Sequence, residues 1–76
     1  MDFLAATDRV ADCVTQREVA AALGVSPQSV RVARLNPSSP NYRKPPAGWK
    51  KALARLIREW SRELLDVAGA LDPDGR

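Results

Sequence analysis

The stretch VTQREVAAALGVSPQSVRVARL, Val14 to Leu35, carries two full sets of helix-boundary signals in one short run. Thr15 followed three residues later by Glu18 is a capping box: the hydroxyl accepts from the Glu18 N–H while the carboxylate reaches back to the Thr15 N–H. Val14 and Val19 bracket that box as a hydrophobic staple. The helix it opens runs through EVAAAL and stops at Gly24, which tolerates the positive φ that follows a helix end. A second set follows at once. Ser26 is a good N-cap, Pro27 sits at the first helical position where its missing N–H costs nothing, and Val25 and Val30 form a second staple. The spacing predicts a helix, a three-residue turn and another helix. Val19, Ala20, Leu23, Val25, Val30 and Ala33 would bury one shared face, with Ala20 small at the closest approach. Arg17, Glu18, Gln28, Ser29, Arg31 and Arg34 fall outside it.

Working outward, Asp2 to Cys13 reads as a first helix with Phe3, Leu4, Ala6, Val10 and Cys13 near one side. Cys13 is expected there as a small buried apolar residue. On the other side of the quoted stretch, NPSSPNYRKPP (Asn36 to Pro46) holds four of the six prolines and predicts a stiff, partly extended loop. Loops of that length in a small domain usually carry function or disorder. From Ala47 to Leu71 a long amphipathic helix is expected, with Trp49, Leu53, Leu56, Ile57, Trp60, Leu64, Val67 and Leu71 along one stripe. The expected fold is therefore all-α and a single domain. Residues 1–35 supply three helices, 36–46 a proline-rich basic loop, 47–71 the long helix for packing and dimerisation, and 72–76 a tail that frays.

Seventy-six residues with 45% apolar content lie near the size at which one core is only marginally self-sufficient, so extra burial from a partner is expected. One cysteine allows no internal disulfide and no cysteine-rich metal site, and histidine is absent. No nucleophile–base pair, carboxylate dyad or phosphate loop is evident, so neither an enzyme nor a cofactor, metal or small-molecule ligand is expected. No basic leader with an apolar run and no membrane-length apolar segment is evident, so a cytoplasmic protein without membrane association is expected.

The net charge of +3 says less than its distribution. Between Glu18 and Glu59 there is no acidic residue, while Arg31, Arg34, Arg43, Lys44, Lys50, Lys51, Arg55 and Arg58 all fall in that interval. A solvated surface normally mixes signs, and two lysines in the first turns of a helix oppose its dipole. A phosphate backbone would account for both.

With Gln first, Ala fifth, Gly ninth and Val or Ile fifteenth, the helix-turn-helix of the Cro and phage-repressor class has the pattern that Gln16, Ala20, Gly24 and Val30 match. The chain resembles that class over Gln16 to Leu35, and in its economy it resembles small phage or prophage regulators. It departs from them where a proline-rich loop and one long helix replace several short helices. The resemblance implies a transcriptional regulator of double-stranded DNA, a homodimeric repressor, whose second helix enters the major groove.

Core packing claims Val30 and Ala33 of that second helix, leaving Ser26, Gln28, Ser29, Arg31 and Val32 toward the groove or its walls. Gln28 suits adenine N6 and N7, and Val32 a thymine methyl; Arg31 can read guanine or clamp a phosphate. Gln16, Arg17, Arg34, Tyr42, Arg43, Lys44, Lys50 and Lys51 complete the expected DNA surface. Trp60, Leu64, Val67 and Leu71 form the expected dimer interface. Blander readings stand beside these: a helix pair that is only a structural corner, Gln28 as an ordinary exposed residue, and Tyr42 to Lys44 as a solvated connector. An accessory or architectural DNA-binding factor, or a helical adaptor whose basic face meets an acidic protein, are the alternative functions.

Overall fold

In a computed structural model of the chain, residues 1–74 are described. They form four helices and, among the described residues, no strand: α1 (Phe3–Arg9), α2 (Gln16–Leu23), α3 (Pro27–Ala33) and α4 (Trp49–Leu71). The all-α expectation holds.

The boundaries of α2 and α3 form as the local chemistry dictates. The Thr15 hydroxyl accepts from the Glu18 N–H at 3.1 Å, and the Thr15 N–H donates to Glu18 Oε1, also at 3.1 Å. At the far end of α2 the backbone enters the left-handed region at Gly24, φ 71°. The Val25 N–H then donates to the Ala20 carbonyl (3.0 Å) and the Gly24 N–H to that of Ala21 (3.2 Å). These paired bonds satisfy carbonyls that a helix end otherwise leaves open, and they reverse the chain within three residues. Ser26 then accepts from the Ser29 N–H at 3.2 Å and α3 begins with Pro27.

α2 packs on both α3 and α4. The core comprises Phe3, Val14, Val19, Ala20, Val30, Ala33 and Leu53, with Trp49, Leu56, Ile57 and Trp60 half-buried around it. Val19 and Val30, the inner halves of the two staples, are each only 1% exposed. Phe3 meets Trp49 edge to face with ring centroids 5.0 Å apart, which ties the start of α1 to the start of α4.

Two expectations about the first helix need correction. α1 ends at Arg9 instead of continuing to Cys13, and Cys13 is exposed. Residues 10–13 are spent on a turn in which the Cys13 and Val14 N–H groups both donate to the Val10 carbonyl (3.0 and 2.8 Å). That turn swings Val14 into the core, and an uninterrupted helix would have carried Cys13 inward in its place. α4 starts at Trp49, two residues later than expected, because Gly48 adopts φ 80°, a left-handed conformation that a side chain would resist. Its other end falls at Leu71 as expected, where the Asp72 N–H donates to the Ala68 carbonyl at 2.9 Å. Of the tail expected to fray, 72–76, residues 75 and 76 lie outside the described residues.

At about 1.5 Å per residue, the 23 residues of α4 span about 34 Å. The longest dimension of the molecule is 52 Å against 20 and 18 Å across. Only the part of α4 up to Trp60 packs on the other helices; every residue from Ser61 to Leu71 is exposed. No helix is long and apolar enough to cross a membrane among the described residues.

The capping box also sets a pH response. Hydrogen bonds from the Thr15 backbone N–H, then from its hydroxyl and from Trp60, hold the Glu18 carboxyl below the ordinary carboxylate value and outweigh its partial desolvation. A depressed folded-state pKa contributes stability that is fully present above the unfolded-state value and is lost as pH falls through the depressed one. The melting temperature should therefore hold steady toward neutral pH and drop below the usual carboxylate range. Glu18→Gln should remove this group's share of the acid-limb drop. A melting profile by circular dichroism that is the same in both proteins would show that Glu18 does not titrate with folding.

Candidate nucleic-acid interface

The outer face of α3 presents Gln28 and Arg31 one turn apart, both exposed, because Val30 and Ala33 hold the opposite face in the core. The two side chains are joined: Arg31 Nη1 donates to Gln28 Oε1 at 3.0 Å. The contact leaves the Gln28 amide NH2 and most of the guanidinium donors free to meet a ligand. Val32 is half-buried beside them. Ser26 and Ser29 are exposed at the start of α3, but their hydroxyls face each other at 3.1 Å and the Ser26 oxygen is engaged as the cap.

The proline-rich loop folds back toward this face. Asn36 Oδ1 accepts from the Ser38 N–H and hydroxyl, both at 2.9 Å, and the Tyr42 N–H donates to the Ser39 carbonyl at 3.1 Å. These local turns set residues 41–43 alongside α3. An open groove results, lined by Gln28, Arg31, Val32, Leu35, Asn41 and Arg43, with no acidic residue in its wall. Arg43 is held from behind, since its Nη1 donates to the Tyr42 carbonyl at 2.8 Å and, more weakly, to that of Pro40 at 3.5 Å. Leu35 and Asn41 were not among the expected site residues. Leu35 lies just past the end of α3, four residues beyond Arg31, whereas nothing in the neighbourhood of Asn41 marks it, because it enters the groove only through the fold of the loop.

Arg34 departs from the expected DNA surface. Its Nε donates to the Thr7 hydroxyl at 2.9 Å, and its Nη2 bonds Asp8. Thr7 is buried and in turn donates to the Phe3 carbonyl at 2.8 Å. The guanidinium thus ties the end of α3 to α1, and the side chain is half-buried in doing so. A cation already paired and aimed inward is poorly placed to neutralise a phosphate.

The remaining cations lie apart from the α3 groove. Lys44, Lys50 and Lys51 border a second groove with Tyr42, Pro45, Pro46 and Trp49. Within that second groove Lys50 also sits 5.8 Å from the Trp49 ring centroid, within cation–π range. Asp2 also lines that groove, whereas Lys50, Lys51, Arg55 and Arg58 line a third that has no acid in its wall. Tyr42 is half-buried, while Arg43 and Lys44 are exposed. Gln16 and Arg17 are exposed in the first turn of α2, next to Glu18.

The four expected interface residues of α4 divide. Leu64, Val67 and Leu71 are 52, 48 and 82% exposed. Trp60, which the dimer expectation required to be exposed in a single chain, is half-buried, and its Nε1 donates to Glu18 Oε2 at 3.0 Å. Its indole belongs largely to the chain's own packing, because the capping carboxylate offers the N–H a partner there. Compared with protein-family models, curated proteins and solved structures, the chain has no match in any of the three.

Proposed function

We propose that the chain is a double-stranded DNA-binding transcriptional regulator without enzymatic activity, in which α2, the Gly24 turn and α3 act as a helix-turn-helix. α3 enters the major groove, and two copies act together on a two-fold site, where their occupancy represses. The observation that carries the reading is the groove beside α3: Gln28, Arg31 and Arg43 converge in a wall free of acids, inside an interval of sequence that has cations alone. Gln28 and Arg31 are assigned to base edges, and Val32 to a thymine methyl or the groove wall. Arg43 is assigned to the flanking phosphate backbone. Ser29, Gln16, Arg17, Lys44, Lys50 and Lys51 are assigned further phosphate contacts. Arg34 is left out, and Tyr42 serves to position the loop.

The test is selection of bound sites from a random duplex library, followed by salt-dependent binding of the selected site. Recovered sites should carry inverted half-sites with centres about 34 to 36 Å apart. Sites without dyad symmetry would favour an accessory or architectural factor, and no retention on duplex DNA at moderate salt would favour an adaptor for an acidic protein. Lys44→Ala should keep the base preference of the selected site and lower the slope of log K against log salt by about one. An unchanged slope would return Lys44 to the role of a solvated loop residue.

A further inference from the structure

We infer that the protruding half of α4 is the seat of a second copy of this chain, laid antiparallel, with Leu64 of each copy against Val67 of the other and Leu71 of each against Trp60 of the other. The inference takes from the proposed function only the use made of the pair, not its geometry.

Three features of α4 carry it. First, Trp60, Leu64, Val67 and Leu71 follow one another at intervals of four, three and four residues, the alternation that aligns a seam along one side of a helix. In an antiparallel pair such a seam makes layers of unlike positions, and these four residues match one another in that way without remainder. Secondly, the residues flanking the seam are small or uncharged, except Glu63. Ser61 would face Ala68 of the other copy and Glu63 would face Ala70, so no like charges oppose and the axes can approach closely.

Thirdly, the orientation follows from where the rest of the molecule sits. Leu53, Trp60 and Val67 are spaced by seven residues and so lie along one side of α4. Leu53 is buried against the other helices and Trp60 is bonded to α2, so the exposed seam continues the side on which those helices pack. In a parallel pair both sets of α1–α3 would have to fit between two helices about 8 to 10 Å apart, which is too narrow for either. In the antiparallel pair each copy's α1–α3 lies beyond the end of the other's α4. Each helix runs out at Leu71, where the other's packed part begins at Trp60. Leu71, the most exposed of the row, would meet the shallow cleft that Leu56, Glu59, Trp60 and Glu63 form. Two such faces, each about 16 Å long, and the contacts at their ends cover on the order of 1,000 Å², the lower end of what a specific pair needs. The arrangement closes on itself and leaves no free seam for a third copy.

The experiment uses the full chain without DNA. Sedimentation should find a dimer at high micromolar concentration. Leu64→Asp should weaken it on the order of 100-fold, while Leu65→Asp, 70% exposed on the other side of α4, should change it little. Helix content should be unchanged in both, since neither side chain is buried in the single chain. For orientation, a spin label at Lys51→Cys in a Cys13→Ser background should report a separation of about 44 Å between copies, against less than about 30 Å for a parallel pair. A chain that stays monomeric, a Leu64→Asp protein that dimerises as before, or a short label distance would each overturn the inference. None of these outcomes bears on the α3 groove, whose failure would appear as loss of duplex binding by a chain that still dimerises.

Discussion

Arg31→Ala should weaken binding to the selected site on the order of 10- to 100-fold, the range expected when one side chain that pairs with a base edge is removed. Charge loss alone would give a smaller effect, equal on every sequence. The contact with Gln28 makes the two separable. Because Gln28 Oε1 accepts from Arg31 Nη1, the amide orients the guanidinium plane, and a base contact made by one residue depends on the other. The double variant of Gln28→Ala and Arg31→Ala should therefore cost less than the sum of the two single changes, with a coupling of about 0.5 to 3 kcal/mol. Arg31→Lys is the sharper variant. Lysine keeps the charge and cannot make the paired, planar contact that arginine makes to guanine. The salt slope should stay as it is while preference at one base pair per half-site flattens. Binding isotherms on the selected site and its single-base variants, at several salt concentrations, read both quantities. Retained preference in Arg31→Lys would reassign Arg31 to a phosphate, and strict additivity would make the contact with Gln28 incidental.

Leu53→Ala should lower stability by about 2 to 5 kcal/mol, the usual cost of emptying a buried leucine site. Leu53 is 3% exposed and is the one residue of α4 in the fully buried core, so no neighbour on its own helix can replace it. A domain of this length has only about 4 to 11 kcal/mol to lose. At about 4 to 8 °C for each kcal/mol, the midpoint should fall by about 8 to 40 °C, and α4 should detach with the rest. Leu53→Met, which conserves volume, should cost less than about 1.5 kcal/mol. Thermal and urea unfolding at fixed protein concentration measures this, since association also stabilises. A midpoint unchanged by Leu53→Ala would mean that α4 is not anchored to α2 as described.

The parts of this chain that were legible in its residues are those governed by partners three or four positions away. The Thr15–Glu18 box, the Ser26 cap with Pro27, and the glycine stop at position 24 each specify a local conformation by hydrogen bonds the segment makes with itself, so α2 and α3 and the turn between them could be placed within a residue. The seven-residue spacing of α4 likewise declared its apolar side. What tertiary structure decided were matters of which element a side chain meets. Arg34 has the composition of a DNA contact, but Thr7 and Asp8 lie far away in sequence and claim it. Cys13 stands outside because a turn was needed to bring Val14 in. Trp60 looked free for a partner until Glu18, already committed to capping, offered its second oxygen to the indole. Asn41 reaches the α3 groove only because the loop folds on itself. The boundary at Trp60, between the packed and the open half of one uniform stripe, is set by how far α1 to α3 extend along α4. A stripe repeats the same apolar signal along its whole length, whereas cover is a property of neighbours brought in from elsewhere in the chain.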